Sequence, residues 1–186
     1  MKPCCRRYLS AALLICLLDT AALAEPIDEA KAADLSADYE TALQIVRPLA
    51  NQGNTGAQVL LGFMYYKGHG VPQEYAEAIK WYRKAADQGE AGARFRLGFM
   101  YEPGPGVPQD YAEAIKWYRK AADQGDALAQ NNLGDMYAHV RGVPYDSAEA
   151  MKWHRMAADQ GEVNAQKASA ICTAMAWAYQ MTTPRP

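Results

Sequence analysis

Apolar positions recur at spacings of three and four through most of the chain, and the pattern then repeats itself. In the stretch from Asn54 to Lys67, the residues Ala57, Leu61, Met64 and Tyr65 share one helical face. The same four residue types return as Ala93, Leu97, Met100 and Tyr101, and again as Ala129, Leu133, Met136 and Tyr137. A second helix is predicted from Pro72 to Gln88, burying Tyr75, Ala78, Ile79, Tyr82 and Ala86 and leaving Glu74, Glu77, Lys80, Lys84 and Asp87 in water. Between the two, Gly68-His69-Gly70 can cap the first helix, because glycine reaches left-handed backbone geometry without a steric cost. Pro72 suits the first turn of the second helix, where its missing N–H would have had no intrahelical partner. Glu77 with Lys80, Glu113 with Lys116 and Glu149 with Lys152 are spaced for i,i+3 pairs. Each is worth only about 0.2–0.5 kcal/mol, so these charges read as a solvated face and not as a site.

The period is fixed. Gly53, Gly89, Gly125 and Gly161 recur every 36 residues, as do Gly62, Gly98 and Gly134, the Val-Pro pairs at 71, 107 and 143, and Trp81, Trp117 and Trp153. Tyr75 to Gly89 and Tyr111 to Gly125 are identical, both reading YAEAIKWYRKAADQG. A helix pair this short cannot bury its apolar side alone, so neighbouring pairs must stack. The predicted fold is therefore all-α, an α-solenoid of antiparallel helix pairs spanning 36–181, with full repeats at 53–88, 89–124 and 125–160. Residues 36–52 align with a second helix through Tyr39, Ala42, Ala50 and Gln52 and serve as an N-terminal half-repeat. Pro48 within it removes the bond to the carbonyl of Gln44, which predicts a kink. Residues 161–181 form the closing helix, carrying Ser169-Ala170 where the other units have Leu-Gly. Residues 25–35 read as a polar leader and 182–186 as a flexible tail. In the third unit Val140 stands where Gly68 and Gly104 stand, and Ser147 and His154 replace the tyrosines at 75 and 82, so fold specification weakens there.

Before the repeats, Lys2, Arg6 and Arg7 precede an apolar run from Leu9 to Leu18 and the triplet Ala22-Leu23-Ala24. This is the layout of a signal peptide cleaved after residue 24, its apolar run about half the ~20 residues a membrane span needs. A lipid anchor at Cys16 is the competing reading, but Ile15 precedes it where a small residue belongs. The expectation is an exported chain, periplasmic or secreted, with no membrane insertion after cleavage. Loss of residues 1–24 removes three basic residues and one acidic one, taking the net charge from −2 to −4. A mildly acidic chain without a basic run is a poor phosphate binder, so nucleic acid and anionic membranes are not expected partners. Cys4, Cys5 and Cys16 leave with the signal. Cys172 remains alone, as a small buried hydrophobe or as one half of an intermolecular bridge.

Catalytic signals are weak. Of the serines after residue 24, namely Ser36, Ser147 and Ser169, none is followed by a lysine three residues on. No glycine-rich phosphate loop follows a strand, and no cofactor is implied. His69, His139 and His154 have no ligand spacing on one helix, so no metal site is expected. The tryptophans repeat without variation, which marks them as packing between units.

The pattern A-x-x-x-L-G-x-M-Y, then G-x-G-V-P, then Y-A-E-A-x-K-W-Y-R-K-A-A-x-Q-G resembles the Sel-one-like repeat, a relative of the tetratricopeptide repeat, over about residues 36 to 172. The resemblance implies a right-handed superhelix used as an adaptor surface in protein assemblies. Exported bacterial members are linked with envelope assembly, signalling and host contact. A cysteine-rich branch that staples each repeat with a disulfide is associated with β-lactam binding, and this chain lacks those cysteines.

Comparison of the units separates what the fold needs from what it leaves free. Opposite the repeated apolar face, the first helix of each unit varies: Val59, Phe63 and Tyr66 in the first, Phe95, Phe99 and Glu102 in the second, and Asn131, Asp135 and Ala138 in the third. First helices line the concave side of such solenoids, so this stripe is expected to face a groove, aromatic at one end and polar or acidic at the other. Phe63, Phe95, Phe99 and Tyr66 are candidate apolar anchors for a partner, and packing against the adjacent unit is the competing role. The expected function is a non-catalytic scaffold that binds another protein. The alternatives are an envelope hydrolase or β-lactam-binding protein, and a self-assembling structural protein that docks through Ile171, Met175, Trp177 and Met181 of the closing helix.

Overall fold

The computed structural model describes residues 26–102, 104, 106–139 and 141–167. They form eight helices in consecutive pairs: α1 (Pro26–Leu35) with α2 (Tyr39–Asn51), α3 (Thr55–Lys67) with α4 (Tyr75–Asp87), α5 (Ala91–Tyr101) with α6 (Tyr111–Ala122), and α7 (Ala127–Ala138) with α8 (Ser147–Asp159). A further helical segment begins at 163–167. No strand occurs among the described residues. Each helix packs on the next, most heavily within the three repeat pairs, and α1 also touches α3 as α5 touches α7. First helices thus gather on one side and second helices on the other, giving an α-solenoid.

The repeated apolar positions form the core. Ala57, Leu61 and Met64, with their counterparts in the other two units, are 2% exposed or less. Burial of each Leu or Met side chain contributes about 1.5–3 kcal/mol. The glycine after each leucine has a steric cause. A Cβ on Gly62 would lie 2.7 Å from Tyr82 Cε1, one on Gly98 2.5 Å from Tyr118 Cδ1, and one on Gly134 2.8 Å from His154 Cε1. The ring on the second helix therefore rests directly on the backbone of the first, and Leu-Gly on one helix is read against Tyr or His on its mate.

Between units, the loops interlock with the helix before them. Gly70, Gly106 and Gly142 hold φ of 67°, 90° and 74° and lie against Tyr39, Tyr75 and Tyr111 respectively. Val71, Val107 and Val143 follow these glycines into the three successive core clusters. Trp117 and Trp153, each 6% exposed, pack into clusters that also hold residues of the preceding unit, in line with the packing role expected of the tryptophans. Glutamine amides connect the turns: exposed Gln88 donates Nε2 to Oε1 of buried Gln58 at 2.9 Å, and Gln58 Nε2 donates to the Ala50 carbonyl at 3.2 Å. Gln160, Gln130 and Ala122 repeat this link at 2.8 and 3.1 Å.

Two boundaries differ from the sequence reading. Residues 26–35 are a helix and not a polar leader of open structure: Ile27, Ala30 and Asp34 of α1 are buried, and α1 packs along α2. The half-repeat at 36–52 is consequently the second member of a complete pair. The second helix of the first repeat starts at Tyr75, so Pro72 precedes it and does not occupy its first turn. The cause is a hydrogen bond from the Glu74 amide to the Tyr65 carbonyl at 2.9 Å, which folds the connection back on α3 and holds Glu74 extended at φ −142°. The Asp110 amide bonds to Tyr101 at 2.9 Å and the Asp146 amide to Tyr137 at 3.3 Å in the same way. Helix α2 runs through Pro48 without interruption, and Gln44, which loses a donor there, is exposed to water.

The three turns that end the first helices are each built differently. Gly68 caps α3 in the left-handed region at φ 78°. Glu102 ends α5 extended at ψ 166°, because it precedes Pro103 and that neighbour disfavours the α region. His139 ends α7 at φ −119°, with Val140 following. The signal segment 1–24, Cys172, the tail 182–186 and the candidate docking residues Ile171, Met175, Trp177 and Met181 lie outside the described residues. No helix among the described residues is long and apolar enough to cross a membrane.

Candidate functional site

The variable stripe lies where first helices face one another. Helix α1 touches α3 and α5 touches α7. Bulky side chains stand between α3 and α5. Tyr66, Tyr82, Phe95, Arg96, Phe99 and Met100 line a pocket of ≈ 220 Å³ there. An adjoining pocket of ≈ 360 Å³ takes in Val59, Phe63, Lys31, Glu90 and again Arg96. Arg96 is the shared wall, so the two form one groove.

Within it, Tyr66 packs at 5.7 Å from the Tyr75 ring and 6.4 Å from Phe99. Phe95 sits 5.8 Å from Tyr118 of the next helix, and Phe99 is 44% exposed. These aromatic rings are thus packed on one side and partly open on the other, Phe99 most of all. The Arg96 guanidinium lies 5.4 Å from the Phe63 centroid and 5.8 Å from that of Tyr82. A cation over aromatic faces is stabilised there without losing its charge. Burial pushes the Tyr82 hydroxyl up to about 12, opposed in part by the Arg96 charge, so this group stays a neutral donor.

The polar end of the stripe is differently disposed. Glu102 is bound internally: Tyr118 Oη donates to its Oε2 at 2.8 Å and Arg141 Nη1 to its Oε1 at 2.9 Å. Tyr118 Oη in turn accepts from Asn132 Nδ2 at 3.0 Å, and its ionisation is driven upward by burial and then by the Glu102 charge. Asn131 is only 8% exposed, Asp135 is half-buried with Oδ1 3.5 Å from His154 Nε2, and Ala138 is half-buried. The open groove is therefore built from Val59, Phe63, Tyr66, Phe95 and Phe99, joined by Arg96. Glu102, Asn131 and Asp135 lie further along, engaged mostly with their own chain.

Arg96, Tyr82 and Lys31 line the groove without belonging to the variable stripe. Arg96 was discoverable, since position 60, 96 and 132 changes from Leu to Arg to Asn beside the stripe. Tyr82 was read as core, and it is core, with its hydroxyl end reaching the pocket wall. Lys31 belongs to the segment taken for a leader. Nearby, Asp34 of α1, 8% exposed, holds His69 Nδ1 at 2.8 Å, and the His69 ring stacks on Tyr39 at 4.3 Å. That contact docks α1 on the first repeat. Among the described residues no group of three or more His, Cys, Asp or Glu is placed to hold a metal ion.

The family model described as Sel1 repeat matches residues 55–90, 91–126 and 127–162. Among solved structures, the chain is similar to a Sel1 repeat protein from Oxalobacter formigenes, with 40% identity, a TM-score of 0.68 and 74% of this chain covered. It is also similar to c5321, described as a protective antigen present in uropathogenic Escherichia coli strains displaying an SLR fold, with 36% identity, a TM-score of 0.66 and 75% of this chain covered. The matched regions make up 55% of the first of those chains and 34% of the second, so this chain corresponds to part of each. None of the curated proteins compared with it matches the chain.

Proposed function

Because the chain belongs to the Sel1 repeat family, whose members are generally scaffolds for protein–protein interaction, we propose that it is a non-catalytic adaptor acting outside the cytoplasm. Its groove between α3 and α5 takes a segment of a partner protein. The observation that carries the proposal is Phe99, a large aromatic side chain left 44% exposed at the mouth of an aromatic pocket. An apolar ring so placed gains from being covered, and central aromatic anchors are each worth ~2 kcal/mol or more in an interface. The export layout of residues 1–24 supports the compartment, as does the description of the E. coli relative as a protective antigen.

The test pairs binding with melting for Phe63→Ala and Phe99→Ala, using partners captured from envelope extracts. Phe99→Ala is expected to weaken capture by about thirtyfold, the equivalent of ~2 kcal/mol, with only a small change in melting temperature because the ring is half in water. Phe63→Ala, more deeply packed, is expected to lower both. Capture that neither variant affects excludes the groove, and a large melting loss for Phe99→Ala assigns that ring to packing.

A further inference from the structure

The repeat supplies an internal comparison that assigns the groove a ligand chemistry. Tyr118 of the second repeat and Tyr82 of the first are equivalent positions, 36 residues apart, and both rings rest on the glycine of their own Leu-Gly step. In the second repeat the Tyr118 hydroxyl accepts from Asn132 and donates to the carboxylate of Glu102. In the first repeat Arg96 replaces Asn132 and Tyr66 replaces Glu102. Arg141, which pairs with Glu102, has Pro105 at its counterpart position, and Arg96 brings a cation to the place of Asn132, with five N–H groups where the amide offers two. Among the described residues, no carboxylate stands in ion-pair contact with Arg96.

No ion pair among the described residues includes Arg96. Glu90 lines the adjoining pocket with it and lies outside ion-pair distance. The other cation on that wall, Lys31, pairs with Asp28 at 2.9 Å on an exposed turn. Arg96 is thus a half-buried cation held over two aromatic faces, beside a neutral tyrosine hydroxyl, with Phe95, Phe99 and Tyr66 around it.

Resting on the groove reading above, we propose that this pocket binds a peptide carboxylate flanked by a bulky apolar side chain. The carboxylate accepts from Tyr82 as Glu102 accepts from Tyr118, Arg96 supplies from the Asn132 position the cation that Arg141 supplies to Glu102, and the apolar side chain covers Phe99. A carboxylate could come from a glutamate or aspartate side chain or from a chain terminus, and the chemistry at Arg96 is the same for each. Planar bidentate pairing favours arginine over lysine for this task.

The test uses the full chain and three pools of acetylated octapeptides read by fluorescence anisotropy. In the first pool a Phe, Leu or Trp adjoins a Glu and the C-terminus is amidated; in the second Gln replaces Glu; in the third the apolar residue ends the peptide as a free acid. The expected result is that the first or third pool binds about tenfold or more tightly than the second, and which of the two does so identifies the source of the carboxylate. Arg96→Gln is expected to erase that preference. Tyr66→Glu is expected to erase it too, by placing an internal carboxylate where the second repeat has Glu102, and melting curves check that both variants fold. The comparison of pools on the unaltered chain stands even if a variant does not fold. Equal binding of all pools, no binding by any, or a preference that survives both variants overturns the proposal. Binding that Phe99→Ala abolishes but that ignores the carboxylate overturns this proposal alone, while carboxylate-dependent binding that Phe99→Ala leaves intact overturns the groove reading.

Discussion

His154 occupies the place that tyrosine holds in the first two repeats, with its ring on Gly134 and 1% of the residue exposed. Its Nδ1 finds no hydrogen-bond partner, and burial lowers its pKa from 6.5, with the Asp135 carboxylate opposing and His139 adding to the shift. The unfolded chain therefore binds this proton at higher pH than the folded one does. Stability from this site is fully present above pH ~6.5 and is lost as the pH falls below it toward the lower folded value. Thermal melts should be flat near neutrality and fall below about pH 6.5 before the carboxylates titrate. His154→Tyr, which restores the residue of the other units, should remove that early fall; an unchanged slope would place its origin elsewhere. The replacement itself was visible in the sequence as a break in the repeat. Its consequence was not, because the cost of a histidine depends on whether Gly134 and Asp135 leave room for water beside the ring.

The helix starts differ in how their first amides are capped. Asn54 and Asp126 cap α3 and α7, accepting from the amides of Ala57 at 2.9 Å and Ala129 at 2.8 Å. Glu90 stands at the equivalent place with nearly the same backbone angles, φ −67° and ψ 114°, and makes no side-chain cap. Asp110 and Asp146 cap α6 and α8, whereas Glu74, at φ −142° against −140° and −143°, does not cap α4. The backbone is prepared, but neither glutamate makes the bond, although Glu162, at the same place before the next helical segment, accepts from the Asn164 amide at 3.1 Å. Glu74→Asp and Glu90→Asp should each raise stability by about 0.5–1 kcal/mol in chemical denaturation, and a null result for both would mean that the ungated amides are already satisfied by water. Helix α1 carried the opposite lesson. Its turn into α2 uses Ala37 at φ 62°, with no glycine to announce it, and its face of Ile27, Ala30 and Asp34 is too short to stand out by periodicity. Only the partner surfaces, including His69 for Asp34, make that segment a helix worth forming.

Stability in this molecule lies between units as much as within them. The glycine loops seat on the preceding tyrosines, the glutamine links cross from turn to turn, and Arg83 Nη2 donates to the Tyr101 hydroxyl of the next repeat at 2.8 Å. A peptide of residues 53–88 loses all of these at both faces. It should be largely unfolded by circular dichroism at room temperature, while the full chain unfolds cooperatively; a well-folded, monomeric single unit would refute the nearest-neighbour account. The period, the two helix faces and the membership of a repeat architecture were carried by local order along the chain, because a helical stripe and a glycine turn are encoded by near neighbours. The groove was legible in outline, through positions that vary while their neighbours do not. Which of those positions remain open was settled by contacts made across the repeats: Arg141 reaches Glu102 from 39 residues away and neutralises it, whereas Arg96, beside Tyr66, has no such carboxylate among the described residues and faces the pocket. Pairing over that distance depends on how the units stack, a property that no single window of the sequence contains.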